Sequence, residues 1–160
     1  MKKIMFICHG NICRSPMAEF IFKKMLNENG LAERVSVSSS ATSTETIWNG
    51  QGEPVYPPAA KELSKHGISC SEKRSVQLTK ADYGKYDLLI CMDSNNIRNA
   101  MRIFGADPQK KLCKLMDFTS RPGDVSDPWY TRDFSTCYRD IEEGCAGLLN
   151  EIGKGAGYAE

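Results

Sequence analysis

The sequence predicts an α/β protein, a doubly wound domain in which helices cover both faces of a central parallel sheet of about four strands. Short apolar runs alternate along the chain with longer segments of helical spacing, and this alternation is typical of parallel strands joined by right-handed crossovers. The chain has 160 residues, which suits one hydrophobic core. No internal repeat or linker divides it, so residues 1–160 are predicted to form a single domain.

The first predicted unit is a strand, a tight loop and a helix. Residues 3–8 are almost continuously apolar, as expected of a central strand covered on both faces. The run ends before Gly10-Asn11, two residues that tolerate positive φ. Ser15-Pro16 is a helix-start signal, and Gly30 marks the helix end. Helical spacing between them is given by Met17, Ile21 and Met25 with Ala18, Phe22 and Leu26.

The same alternation continues to the end of the chain. Strands are predicted at residues 35–39, 87–92 and 111–116, and helices at 58–66, 94–104 and 134–152. Two segments, 42–58 and 119–131, have no clear periodicity. Because long irregular segments in a compact domain are more often functional than idle, we expect them at the ligand site. In doubly wound, flavodoxin-like folds that site lies at the carboxyl ends of the strands.

The composition excludes several classes of protein. The formal net charge is only +1, so there is no basic excess of the kind that binding to nucleic acid or to an anionic membrane requires. No stretch approaches the ~20 apolar residues of a membrane span. The odd number of cysteines, seven, argues against the disulfide framework of a secreted protein. The absence of a Cys-x-x-Cys pair, together with only two histidines, argues against a zinc site. The sequence thus predicts a cytoplasmic protein with no metal and no cofactor.

One segment has the chemistry of an anion site. Cys8 lies at the end of the first strand, and Arg14 follows six positions later, at the start of a helix. Successive N–H groups of a tight loop and the positive end of a helix bind phosphate, and an arginine can grip two of its oxygens. The predicted phosphate-binding residues are His9, Gly10, Asn11, Ile12, Cys13, Arg14 and Ser15. The simpler interpretation, a buried core thiol at Cys8, leaves the rest of this pattern unexplained.

These residues resemble a known family, the low-molecular-weight protein tyrosine phosphatases. Residues 8–15 match its signature Cys-x-Gly-Asn-x-Cys-Arg-Ser at every fixed position, and Asp127-Pro128-Trp129-Tyr130 matches its late Asp-Pro followed by aromatic residues. The resemblance extends through segments 39–43, 66–68 and 87–93. It departs from the family at Ala41, where glycine is frequent, at Trp48-Asn49, which comes slightly late, and at Glu72, where some relatives have histidine.

The resemblance implies a role for each residue. Cys8 would attack phosphorus and form a phosphocysteine, Arg14 would clamp the phosphate, and Asp127 would be the general acid. Asn11 and Ser15 would support the loop, with Ser39 as a partner of Asn11. The pocket would be lined by Ile12, Trp48, Trp129 and Tyr130. The substrates implied are phosphotyrosine-containing proteins or small aryl phosphates.

Several alternatives remain open at this point. Cys13 is either a partner of Cys8 in a reversible disulfide or a small apolar residue. Protein-arginine phosphatases on the same fold typically have threonine where this chain has Ile12. Arsenate reductases need two further cysteines close together, whereas Cys70 and Cys91 are far apart in sequence. From a different class, the chain could be a phosphate-binding module without turnover.

Overall fold

The computed structural model describes residues 1–155 of the chain. The strands, numbered in chain order, are β1 Lys2–Cys8, β2 Val35–Ala41, β3 Ile47–Trp48, β4 Gln51–Gly52, β5 Leu88–Cys91 and β6 Leu112–Lys114. The helices are α1 Arg14–Glu28, α2 Pro57–Lys65, α3 Asp82–Lys85, α4 Ser94–Phe104, α5 Pro128–Thr131 and α6 Phe134–Gly155, and a 3₁₀ turn spans Leu115–Phe118.

A parallel four-stranded sheet with the order β2-β1-β5-β6 forms the centre of the fold. β1 pairs with β2 on one side and with β5 on the other, so every strand that precedes a crossover ends at the same edge of the sheet. Helices pack on both faces, and the predicted fold class is therefore confirmed. None of the helices within residues 1–155 has the length and apolar character needed to cross a membrane.

The continuous apolar character of β1 follows from burial on both faces. Ile4 and Phe6 point into a core shared with α1 and α6, and Phe6 meets the ring of Phe22 edge-on at 5.9 Å. Met5 and Ile7 point to the opposite face, into a smaller core built on α4. Because both sets of side chains are removed from water, neither face of β1 needs polar residues.

Three local predictions were wrong. α1 begins at Arg14 with Cys13 as its N-cap residue, so Ser15 does not cap the helix, and its side chain lies in the buried interior. β6 ends at Lys114 because the Lys114 N–H donates to Asp117 and the chain turns into a 3₁₀ helix. The segments predicted as irregular contain the β3–β4 hairpin and the short α5.

Candidate active site

The candidate site lies where β1 ends and α1 begins. Cys8 is the last residue of β1, and its thiol is buried, with only 3% of the residue exposed. The loop of residues 9–13 turns through Asn11, whose φ of 55° is in the left-handed region that asparagine tolerates better than most residues. This turn aims the Asn11 N–H at the Cys8 sulfur over 3.3 Å. A strand, a strained turn and a helix start thus place a thiol beneath a concave loop.

The Asn11 side chain sets the direction of a second hydrogen bond to the sulfur. Its amide nitrogen donates to Ser15 Oγ at 2.7 Å and to Ser39 Oγ at 2.9 Å, while its amide oxygen accepts from the Val76 N–H at 2.9 Å. An amide nitrogen only donates, so Ser15 Oγ must accept from it. The Ser15 hydroxyl proton is then free for Cys8 Sγ, 3.0 Å away. The sulfur therefore receives two hydrogen bonds, an arrangement suited to a thiolate.

The network behind the loop ends on buried charges. Ser39 donates to Glu19 Oε1 at 2.5 Å, and Glu19 is itself 5% exposed. Lys73 lies 3.5 Å from the same carboxylate oxygen and donates to the Ser39 carbonyl. Burial lowers the pKa of Lys73, and the charge of Glu19 partly offsets this effect. Lys23, at 2.6 Å from the other oxygen, completes the neutralisation of Glu19.

Replacing Ser39 with alanine is expected to destabilise the protein by about 1–3 kcal/mol, because it leaves both Asn11 and Glu19 short of a buried partner. Urea unfolding measures this loss. Activity should fall as well, since the Asn11 amide would lose one of the three hydrogen bonds that hold it in place. Ser36→Ala is the matched control, because Ser36 lies on the same strand and is only half-buried. Equal stability of the two variants would contradict the role of this network.

Arg14 is fixed before any ligand arrives. Its Nη1 donates to Asp93 Oδ2 at 2.8 Å and to the Val125 carbonyl at 2.7 Å, so one edge of the guanidinium is tethered. Burial by itself would lower the pKa of Arg14, but the negative charges of Cys8, Asp93 and Asp127 raise the pKa above its ordinary value. Arg14 thus stays charged although only 3% of it is exposed.

Asp127 approaches Arg14 from the opposite side of the site. It is the N-cap of α5, and its Oδ1 accepts from the Trp129 N–H at 3.0 Å. The other oxygen, Oδ2, lies 3.5 Å from Arg14 Nη2. The helix cap therefore holds one carboxylate oxygen and leaves the second directed at the arginine and open to a ligand.

Cys8, Arg14 and Asp127 line one cavity of about 480 Å³, within the range of small-ligand sites. The other lining residues are His9, Gly10, Ile12, Cys13, Glu45, Thr46, Glu53, Tyr56, Trp129 and Tyr130. Asn11 and Ser15 lie buried behind the loop rather than in the cavity. A wider groove of about 720 Å³, lined by Met1, Val35 and Lys24 among others, lies elsewhere and contains no cysteine.

Trp48 is not in the cavity, which corrects its assignment to the pocket. It sits on the β3–β4 hairpin, beside a turn formed by Asn49 and Gly50, and is 73% exposed. Tyr56 lines the cavity instead, and its ring lies 5.0 Å from that of Trp129. The hairpin was not predicted, and for that reason Trp48 was assigned to the wrong position.

The Cys13 thiol is engaged with a cysteine of α6. A hydrogen bond with Cys137, together with burial, raises the pKa of Cys13 well above its ordinary value. All seven cysteines are free thiols. A disulfide between Cys8 and Cys13 stays a prediction, and its formation would require Cys13 to leave Cys137.

Sequence reasoning missed five residues of the site and its support: Glu19, Glu53, Tyr56, Lys73 and Asp93. Two of them had a usable signal. Asp93 directly follows a predicted strand, at the edge where ligands bind, and Glu19 lies one helical turn after Ser15. The others lie in segments without periodicity, so only the fold places them. Within residues 1–155, no group of three or more His, Cys, Asp or Glu residues is placed to hold a metal ion.

A buried thiol lies under a loop with an N–H donor and faces a tethered arginine and a carboxylate, which is the arrangement expected of an enzyme that binds phosphate beside a reactive thiol. The particular family follows from the sequence: residues 3–156 match the model of the low molecular weight phosphotyrosine protein phosphatases. The chain belongs to this family, and the resemblance noted in the sequence is confirmed.

Individual relatives agree with this assignment. The chain is 35% identical to the low molecular weight protein-tyrosine-phosphatase PtpA of Staphylococcus epidermidis, and the match covers 100% of this chain and 99% of PtpA. Among solved structures, YfkJ from Bacillus subtilis superposes with a TM-score of 0.88 at 31% identity, covering 96% of each chain. The arginine phosphatase YwlE from Bacillus subtilis superposes with a TM-score of 0.82 at 27% identity, covering 95% of this chain and 96% of YwlE.

Proposed function

We propose that this phosphatase hydrolyses phosphotyrosine and small aryl phosphates through a phosphocysteine intermediate on Cys8. The observation that carries the proposal is the placement of Cys8 Sγ, which accepts from the Asn11 N–H at the floor of a cavity shared with Arg14 and Asp127. Nucleophile, phosphate clamp and proton donor are then within reach of one bound phosphoryl group.

The reaction would proceed in two steps. In the first, the Cys8 sulfur forms a bond to phosphorus while the bond to the ester oxygen breaks, and Asp127 gives its proton to that oxygen. In the second, Asp127 takes a proton from water, the water oxygen attacks phosphorus, and the bond to sulfur breaks. Arg14 and the loop N–H groups, from His9 to Ser15, would stabilise the charge on the transferring oxygens in both steps.

The cavity wall supports an aromatic leaving group. Tyr56 and Trp129 form a tilted aromatic pair above the phosphate loop, and Ile12 contributes an apolar side chain from the loop itself. Such walls accommodate a phenyl ring through burial and ring–ring contact. Tyr130, 81% exposed at the mouth, would contact the substrate at the rim.

Phosphoarginine is the second candidate substrate, because the fold is also that of the arginine phosphatase YwlE. Ile12 argues against phosphoarginine, since the bulky apolar side chain offers no hydrogen bond to a guanidinium.

The absence of a close cysteine pair beside Cys70 and Cys91 in the sequence disfavours a third activity on this fold, arsenate reduction.

The deciding experiment compares four substrates in a metal-free buffer containing a chelator: a chromogenic aryl phosphate and peptides with phosphotyrosine, phosphoserine or phosphoarginine. We expect rapid turnover of the first two and little of the others. A preference for phosphoarginine would retain the mechanism and refute the use of Ile12 as a specificity signal. Phosphate binding without turnover would instead identify a phosphate-binding module.

We further propose that residues 1–160 act as one phosphatase domain in the cytoplasm. Free thiols support this location, because Cys8 and the core cysteines remain reduced in that compartment. The Cys8 thiol must be reduced for the proposed chemistry.

A further inference from the structure

The β3–β4 hairpin begins and ends at the wall of the cavity. Thr46 and Glu53, which flank the hairpin, both line the cavity, and the Glu53 N–H donates to the Thr46 carbonyl at 3.0 Å. The strands between them pair Ile47 with Gly52 and Trp48 with Gln51. At about 3.3 Å per residue, Trp48 stands roughly 7 Å beyond the wall. The hairpin tip is thus placed to meet whatever projects from the cavity mouth.

The root of the hairpin is fixed to the phosphate loop. Thr46 Oγ1 donates to the Gly10 carbonyl at 2.8 Å, and Ser75 donates through its Oγ to the Thr46 carbonyl and through its N–H to the Glu53 carbonyl. Ser75 approaches so closely that a Cβ on Gly52 would lie 1.9 Å from the Ser75 carbonyl oxygen. The hairpin therefore keeps a set position relative to Cys8.

Charge on the two sides of the cavity mouth is unequal. On the hairpin side, Glu45 and Glu53 both contribute carboxylates. Glu45 is 3.0 Å from His9, whereas Glu53 has no ion-pair partner in the described part of the chain. On the other side, Arg132 lies over the Trp129 ring at 5.6 Å and donates to Tyr56 Oη. A polypeptide that leaves the cavity along the hairpin would meet negative charge.

The exposed indole of Trp48 also suits a basic side chain of such a polypeptide. Its π-face attracts the ammonium of lysine or the guanidinium of arginine. Arg74 touches the hairpin at the Gly52 carbonyl, over 3.4 Å, without reaching Glu53. A basic residue of the substrate would therefore find a free carboxylate at Glu53 and an open aromatic face at Trp48.

Building on the proposed function, we infer that the hairpin residues Glu53 and Trp48 select phosphotyrosine polypeptides with a lysine or arginine close to the phosphotyrosine. A residue two positions away in an extended peptide lies about 7 Å from the phosphotyrosine, which matches the distance to the hairpin tip. The phosphate stays at Arg14, while the flanking basic residue binds at the hairpin. Acidic flanks are repelled by Glu45 and Glu53.

The test uses three phosphotyrosine peptides. They differ only at the residues two positions before and two positions after the phosphotyrosine, which are both lysine, both alanine or both glutamate. Wild type is expected to show a kcat/KM for the lysine peptide at least about fivefold above that for the glutamate peptide, as one close charge contact provides. Glu53→Gln should reduce this ratio toward one, and Glu53→Lys should invert it. About 0.5 M salt should weaken the preference of wild type.

Trp48→Ala supplies an independent measurement. It should lower kcat/KM for the lysine peptide relative to that for a small aryl phosphate, because the aryl phosphate has no polypeptide to reach the hairpin. Glu33→Gln is the matched control, since Glu33 is exposed and precedes β2 at the other end of the sheet. The Glu33→Gln variant should keep the wild-type ratios of kcat/KM among the peptides and the aryl phosphate.

The two proposals fail in different ways. Wild type that does not hydrolyse the aryl phosphate would refute the phosphatase proposal and the hairpin inference with it. Wild type that hydrolyses the three peptides with equal kcat/KM would refute the hairpin inference alone. The hairpin inference would also be refuted if Glu53→Lys, shown to be folded by its circular dichroism, kept the wild-type preference.

Discussion

Replacing Cys8 with serine is expected to reduce turnover of an aryl phosphate by at least about 10⁴-fold, as the loss of an attacking nucleophile does in other enzymes. The hydroxyl would still lie beneath the loop N–H groups and beside Ser15, but it is a far weaker nucleophile than a thiolate. Phosphate binding should persist, because Arg14 and the loop are unchanged. Steady-state kinetics, combined with phosphate protection against thermal unfolding, separate the two properties.

Cys113→Ser is the control for this substitution. Cys113 is a partly buried thiol on β6 and does not line the cavity, so its loss should leave turnover near the wild-type value. Acid quenching of wild type during turnover should trap one phosphoryl group on the peptide that contains Cys8. A phosphoryl group on any other residue, or full activity in Cys8→Ser, would disprove the phosphocysteine mechanism.

Replacing Asp127 with asparagine is expected to slow hydrolysis of phosphotyrosine by about 10²–10⁴-fold, the usual contribution of a general acid. The amide has no proton of suitable acidity for the leaving oxygen. Esters of more acidic phenols should be affected less in the first step, because their oxygen leaves without a proton. A series of aryl phosphates with different leaving-group pKa values should therefore give a steeper dependence in the variant than in wild type.

The second step depends on Asp127 as well, and this gives a separate measurement. With a nitrophenyl ester, the variant should release about one equivalent of nitrophenolate rapidly and then turn over slowly, because the phosphocysteine accumulates. Asp124→Asn is the control, since Asp124 pairs with Lys114 outside the cavity. If Asp127→Asn showed the wild-type dependence and no burst, the proton donor would have to be sought among the other groups of the cavity.

The sequence predicted most of the fold because burial imposes regular patterns on it. β1 is apolar throughout because both of its faces are covered, and α6 is visible in the regular spacing of its buried side chains. The short hairpin and α5 were not predictable in this way. Elements of two to four residues have no period to detect, and their geometry depends on contacts such as those of Ser75 with Thr46 and Glu53.

The candidate site was likewise predictable from the sequence only in part. Residues 8–15 are contiguous and belong to one strand–loop–helix unit, so their spacing in sequence corresponds to their spacing in the structure. Lys73 and Tyr56 reach the site from distant, irregular segments, and no local pattern indicates where they go. Trp48 shows the converse: a plausible residue type in the right segment was assigned to the cavity, although the hairpin turns it outward.

The first turn of α1 has a consequence for how this enzyme evolves. Arg14 and Ser15 belong to the site, and Met17, Ile21 and Phe22, a few residues further on, belong to the main core. One short stretch of sequence thus determines both the geometry of the site and the packing of the core. A substitution there must be compatible with activity and with folding at the same time. The hairpin tip at residues 48–51 is exposed and is constrained by neither requirement, so new substrate preferences can arise there by mutation while the chemistry is inherited intact.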